Sequence, residues 1–251
     1  MAPGRGAAEW RDAAAYAPLL HAERPVLAWE WLRRDPSYRE TAAQAALAEA
    51  SMEAERWGVV AFEDPRLAAP AARPLWSRAA HALVLEACAN AMGPRSDAFE
   101  LDGLSGAAKL LKGRGTEHLL ISDGVRMLRL DILAGTLDRG PAVLTYRLAG
   151  LAAAEKPLLT LRRFLSFVRA GRFSRSLHPR DPRARRQVLM LRAWDALQDG
   201  ADQRQIAAVL LSGAALEPRW RNLAPSLRSQ AQRLVRGARR MAAGAYRELL
   251  D

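Results

Sequence analysis

Apolar residues recur at helical spacing towards both ends of this chain and as short near-continuous runs in its middle, which predicts a helix, sheet, helix order. Near the start, Pro25 suits a first helical position and Asp35-Pro36 ends the run that contains Trp29 and Trp31. A second helix is predicted from Thr41, with Ala43, Leu47, Ala50, Ala54 and Trp57 spaced by four and three and Gly58 as its stop. Pro65, Pro70 and Pro74 then deny regular structure to a connector. The segments 117–122, 125–132 and 143–148 read as strands, the first two joined in a hairpin by Asp123-Gly124, while 81–86 is open between strand and helix because of its alanine-rich flanks. They predict a small antiparallel sheet. Past Pro157, Leu158, Leu161, Leu165 and Val168 share one helical face, and Gly171 closes that helix. A helix from about Arg186 to Gln198 places Leu189, Met190, Ala193, Trp194 and Leu197 on one side before Gly200. Asp202 and Gln205 have the spacing of a capping box for a short helix whose inner face is Ile206, Ala207 and Leu210.

The final helix, with Pro225 near its start, is the most regular of all. At 100° per residue, Ala231, Leu234, Ala238, Met241, Ala245 and Leu249 all fall within about 40° of Leu227. The opposite arc holds Arg228, Ser229, Gln232, Arg233, Arg236, Arg239, Arg240 and Arg247, and no acidic residue. A solvated face ordinarily mixes signs to gain i,i+4 pairs; this one accepts like-charge repulsion instead. The whole reads as an α+β chain: a helical N-terminal module (1–63), a β-containing region (75–150) and an all-helical C-terminal domain (157–251) with the element order of a helix-turn-helix.

Charge sharpens that division. Residues 157–251 hold nineteen arginines, no lysine and seven acidic residues, a balance of +12, whereas residues 1–156 sum to −1. With thirty-five Arg to three Lys in an alanine-rich chain, the Arg excess by itself reflects a GC-rich genome as much as a function. Its segregation points to a polyanion, of which nucleic acid is the commonest. Half the residues are apolar, so the basic half is no disordered tail. Cys88, the one cysteine, excludes an internal disulfide and a cysteine-based metal cluster, and reads as a small buried apolar residue. The N-terminal stretch has no apolar leader and no segment is long enough to span a membrane, so a cytoplasmic chain is expected.

Enzyme chemistry is poorly supplied. Glu117, Asp123 and Asp131 flank the hairpin, yet His21, His81, His118 and His178 are scattered without a spacing that would partner them. Gly113-Arg-Gly115 lacks the pattern of a phosphate-binding loop. Catalytic residues, metal ligands and cofactors are therefore not expected. The aromatics Trp10, Tyr16, Trp29, Trp31 and Tyr38 are assigned to a core, as is Trp220. Arg204, Arg219, Arg221 and Arg236 suit phosphates, with Gln203 beside Arg204 at the start of the short helix. Ser226, Arg228, Ser229, Gln232 and Arg233, early on the last helix, have the chemistry of base edges.

These residues also carry a family likeness. The run Gln203-Arg-Gln-Ile-Ala-Ala208, Trp220, Ser226-Leu-Arg228 through Arg233-Leu-Val235, and Gly244-Ala-Tyr-Arg-Glu-Leu-Leu250 resemble the C-terminal DNA-binding domain of RovC-like transcription factors. Trp10-Arg-Asp12, Tyr16, Ala28-Trp-Glu-Trp-Leu-Arg-Arg34 and Tyr38-Arg39 resemble the small helical module that often precedes it. The resemblance implies a proteobacterial regulator, activating gene clusters such as type VI secretion operons or mobile-element functions. Double-stranded DNA is then the expected partner, met by a homo-oligomer in the cytoplasm and on the nucleoid, without a membrane, and with RNA polymerase as a further contact of an activator. The competing expectation is a non-enzymatic interaction module whose basic half docks on an acidic protein or RNA; the single aromatic of the last thirty residues, Tyr246, fits single-stranded RNA poorly.

Overall fold

The structure, a computed structural model, describes residues 10–45, 49–104, 106–217, 219 and 225–251. In chain order the helices are α1 (Arg24–Leu32), α2 (Pro36–Gln44), α3 (Met52–Glu55), α4 (Glu155–Ala170), α5 (Ala184–Gln198), α6 (Gln203–Leu210) and α7 (Pro225–Ala242). The strands are β1 (Val84–Asn90), β2 (Ala98–Phe99), β3 (Ala108–Lys112), β4 (Glu117–Ser122), β5 (Met127–Ala134) and β6 (Ala142–Arg147). Two compact units contain them: residues 1–35 with 180–249, and residues 36–179 with 250–251.

In the second unit the helix expected from Thr41 to Trp57 does not form as one piece. Pro36 starts α2 early, and Ser51 begins α3 by accepting a hydrogen bond from the Glu53 amide. Leu47, part of the expected stripe, lies outside the described residues. The β4–β5 hairpin is present, its turn held by the Asp123 carboxylate, which accepts from the Val125 and Arg126 amides. Four residues, 123–126, separate the strands, so His118 stands opposite Asp131.

The sheet is mixed, which corrects the small antiparallel arrangement read from the sequence. Its order is β2-β6-β1-β5-β4-β3, and β1 runs parallel to β5 and antiparallel to β6. Thus β6 does not extend the hairpin; β1 lies between it and β5. The physical reason shows in β5, where Met127 through Ile132 are all buried, as expected of a strand covered on both faces and free to take a parallel neighbour. The Arg129 guanidinium is wholly buried; it donates to the Leu119 carbonyl at 3.1 Å and pairs with Asp131 at 2.9 Å. Burial lowers the Arg129 pKa. Burial alone would raise that of Asp131, but the hydrogen bond from His118 and the Arg129 charge outweigh it and hold the carboxyl below its usual range.

Helix α4 covers this sheet with a face other than the expected one. Thr160, Phe164 and Phe167 are buried, the phenyl rings among Phe99, Phe173, Leu85 and Leu144. Leu158, Leu165 and Val168 remain 44, 36 and 46 % exposed. Gly171, in the left-handed conformation, ends the helix as expected. Cys88 is half-buried rather than fully enclosed.

The first unit joins two distant segments of chain. Trp10, Tyr16, Trp29 and Trp31 are buried in it, as Tyr38 is in the second unit, so the N-terminal aromatics are core. Around them runs a buried polar network. The Arg34 guanidinium grips Asp195 of α5 at 2.7 and 2.9 Å and Glu30 at 2.6 Å, while Arg33 reaches the same Glu30 at 2.7 Å. The Tyr16 hydroxyl donates to Asp195 at 2.6 Å, and burial together with that carboxylate pushes its pKa well up. Arg192 donates to the carbonyls of Trp10 and Arg11. Helix α5 therefore buries Arg192 and Asp195 along with Val188, Met190, Leu191, Ala193 and Ala196, while Leu189, Trp194 and Leu197 of the expected stripe are only half-buried.

Candidate nucleic-acid interface

Helix α7 carries the sharpest division of surface in its unit. Leu227, Ala231, Leu234, Ala238 and Met241 are buried, as the 100° periodicity predicts. Gly237 lets it lie close to α5: a Cβ built there would come within 2.7 Å of the Met190 sulfur. On the other side Ser226, Arg228, Gln232, Arg233, Arg236 and Arg239 are exposed and Ser229 is half-buried. Among the described residues none of Arg228, Arg233, Arg236 and Arg239 has an ion-pair partner. Four uncompensated guanidinium groups on one rod make a local excess of positive potential.

The helix ends sooner than its apolar stripe suggested. It stops at Ala242, Gly244 takes a φ of +109°, and a 3-10 helix, Ala245–Leu249, follows. This turn buries Tyr246 and Leu249 and brings Glu248 back to Arg240, paired at 3.0 Å. Arg240 is thus the answered member of the basic arc, and Arg247 leaves it.

Ahead of α7, helix α6 opens with the expected capping box. The Asp202 carboxylate accepts from the Gln205 amide, and the Gln205 side chain accepts from the Asp202 amide, each at 2.8 Å. Ile206 and Ala207 are buried, and Ala207 packs with Ala215, Leu227 and Ala231. Gln203 starts α6 with a buried Nε2 that has no partner among the described residues. Arg204 does not point its whole fork outward: Nε donates to the Ala215 carbonyl at 3.0 Å and Nη2 to that of Leu216. It ties the 3-10 helix that follows, Gly213–Leu216, to the start of α6. Arg219 is exposed. Arg221 and Trp220 lie outside the described residues.

The carboxylates weighed for acid-base chemistry all have structural partners. Glu117 accepts from Thr136 and from the Leu137 amide, and Asp123 holds its turn. Asp131 lies between Arg129 and His118, whose Nδ1 is 2.6 Å away. The His118–Asp131 pair is not visible in the sequence, because a two-residue turn at Asp123-Gly124 sets His118 opposite Arg129, whereas the observed loop shifts the partner to Asp131.

Two family models match the chain. Residues 148–251 match the T6SS transcription factor DNA-binding domain of RovC, and residues 9–60 the proteobacterial transcriptional regulator-like domain. The chain thus carries a RovC-type DNA-binding domain and a proteobacterial regulator-like domain, and resembles the RovC-like transcription factors. Neither a curated protein nor a solved structure matches it. This RovC-like chain is a transcriptional regulator with a DNA-binding domain, and its exposed arginine row on α7 falls inside that domain. Among the described residues no helix is long and apolar enough to cross a membrane.

Proposed function

We propose that this RovC-like regulator is a sequence-specific activator that binds double-stranded DNA at a type VI secretion or mobile-element gene cluster, and that it has no enzymatic step. The observation that carries this reading is the row of exposed arginines on α7, Arg228, Arg233, Arg236 and Arg239, without an ion-pair partner among the described residues and opposite a buried face. In this reading α6 and α7 act as a helix-turn-helix, the first half of α7 entering the major groove. Ser226, Arg228, Ser229, Gln232 and Arg233 face base edges there. Arg219, Arg221 and Arg236 hold phosphates, and Arg204 with Gln203 shapes the approach of α6. Residues 157–251 supply the DNA-binding function, and the α+β region ahead of them assembles or senses. The protein acts in the cytoplasm on the nucleoid, in contact with RNA polymerase.

The test is a footprint on genomic fragments upstream of secretion and mobile-element operons. Discrete protected sites are expected, with log affinity falling against log salt by about 0.9 for each phosphate neutralised. Affinity indifferent to salt, or protection without sequence preference, overturns the reading.

One recognition helix reads few base pairs, and repeated copies are the usual remedy. The exposed face of α4 supports such pairing. Leu158, Leu161, Leu165 and Val168 follow the three-four spacing of a coiled-coil seam, with Leu161 half-buried and the others exposed. Light scattering is expected to show an oligomer that Leu158→Lys with Leu165→Lys converts to monomer. A wild-type monomer, on and off DNA, removes this part of the proposal.

A further inference from the structure

Two exposed surfaces of the second unit have opposite charge and a shared apolar character. The first is the outward side of α4, where Leu158, Leu165 and Val168 are exposed. At 100° per residue, Arg162 and Arg169 lie within about 60° of Leu165, so they flank that apolar strip. Arg172 and Arg175 follow just past the end of the helix. All four arginines are exposed, and none has an ion-pair partner among the described residues.

The second surface is a cleft of about 660 Å³ beside α3, lined by Glu49, Met52, Glu53 and Glu55 together with Arg114 and His118. Three carboxylates there face a single guanidinium. The glutamates are exposed and without an ion-pair partner among the described residues, and Met52 is 80 % exposed between them in sequence.

The sheet keeps these surfaces apart within one molecule. Leu119 and Ile121 of β4 pack in the same core as Phe164 and Phe167 of α4. Side chains alternate along a strand, so His118 points to the other face, where it meets Asp131. The cleft that His118 lines therefore lies across the sheet from α4. A copy cannot satisfy its own strip with its own cleft. Nor does α4 suit a second α4, because Arg162 and Arg169 would then line a seam with their own kind and find only Glu155 as an acid on that helix. The cleft of another copy offers both things the strip lacks, an apolar side chain and unanswered carboxylates.

We propose that copies of this chain associate head to tail, the outward face of α4 on one copy seated in the α3 cleft of the next. Leu158, Leu165 and Val168 cover Met52, and Arg162 and Arg169 meet Glu49, Glu53 and Glu55. The inference rests on the oligomer reading above and names the second surface of that contact. Each added copy presents a free strip at one face and a free cleft at the other, so the contact can continue beyond a pair.

Light scattering of full-length variants tests it. Glu53→Arg with Glu55→Arg, on the opposite face of the sheet from α4, is expected to weaken self-association at least tenfold. Arg162→Glu with Arg169→Glu is expected to do the same. All four side chains are exposed, so the fold is expected to survive both changes. An equal mixture of the two variants is expected to regain the wild-type mass, since each reversed face then meets its complement on the other chain. The contact alone is overturned if the wild type is oligomeric and the Glu53, Glu55 variant keeps that mass, for α4 then pairs elsewhere. It is overturned too if the mixture stays monomeric, or if the Arg162, Arg169 variant keeps its mass and loses only duplex affinity. A wild-type monomer removes the oligomer reading and this contact with it.

Discussion

Alanine at Arg228, Arg233 and Arg236 together is expected to lower affinity for the target duplex roughly a hundred- to a thousandfold, at about 1–1.5 kcal/mol for each guanidinium removed. These groups are exposed and without ion-pair partners among the described residues, so their removal leaves the fold intact. The single variants separate the roles. Arg236→Ala weakens specific and random duplex alike and reduces the salt slope by about 0.9. Arg228→Ala and Arg233→Ala cost more on the specific site and narrow the gap to random sequence. Fluorescence anisotropy at several salt concentrations reads both effects. Equal losses on the two duplexes for Arg228 and Arg233 would move them to the phosphate group, and no loss at all would place the interface elsewhere.

Asp195→Ala is expected to destabilise the unit formed by residues 1–35 and 180–249 by about 3–5 kcal/mol, because it strands a buried guanidinium. Arg34 would keep only Glu30, which Arg33 already shares, and the Tyr16 hydroxyl would lose its acceptor. Urea denaturation followed by tryptophan fluorescence measures the loss, since Trp10, Trp29 and Trp31 all belong to this unit. DNA binding is expected to fall with it, as α5 packs directly on α7. Deleting the segment before residue 36 should do the same through the opposite partner. An unchanged midpoint in either variant would mean that the network is ornamental to the folded state.

How far the chain could be read from its letters depended on how local the deciding interaction was. The buried stripe of α7, the Asp202–Gln205 box and the β4–β5 hairpin all rest on residues within a turn or two of one another, and all three are present. Parallel pairing of β1 with β5 joins residues some 45 positions apart in the register Val84 to Arg129, and no periodicity announces it. Helix α4 offers two apolar faces. The face from Leu158 to Val168 is the more regular, yet the sheet takes the bulkier Phe164 and Phe167. Burial of Arg192 and Asp195 is invisible in the sequence because their partners sit at the far end of the chain. For the proposed DNA face, charge segregation and helical angle together locate the row of arginines. Its answered member, Arg240, stays hidden because Gly244 bends the chain where the pattern runs straight on.

Arg34 precedes its counter-ion Asp195 by 161 residues. A ribosome therefore releases the opening helix long before anything exists to complete it, and the two tryptophans of α1 must wait through the synthesis of the intervening strands. A chain that stops before α5 leaves Arg34 without Asp195 and the arginine row of α7 unmade. The N-terminal helix therefore acquires its ion-pair partner only once α5 has been made.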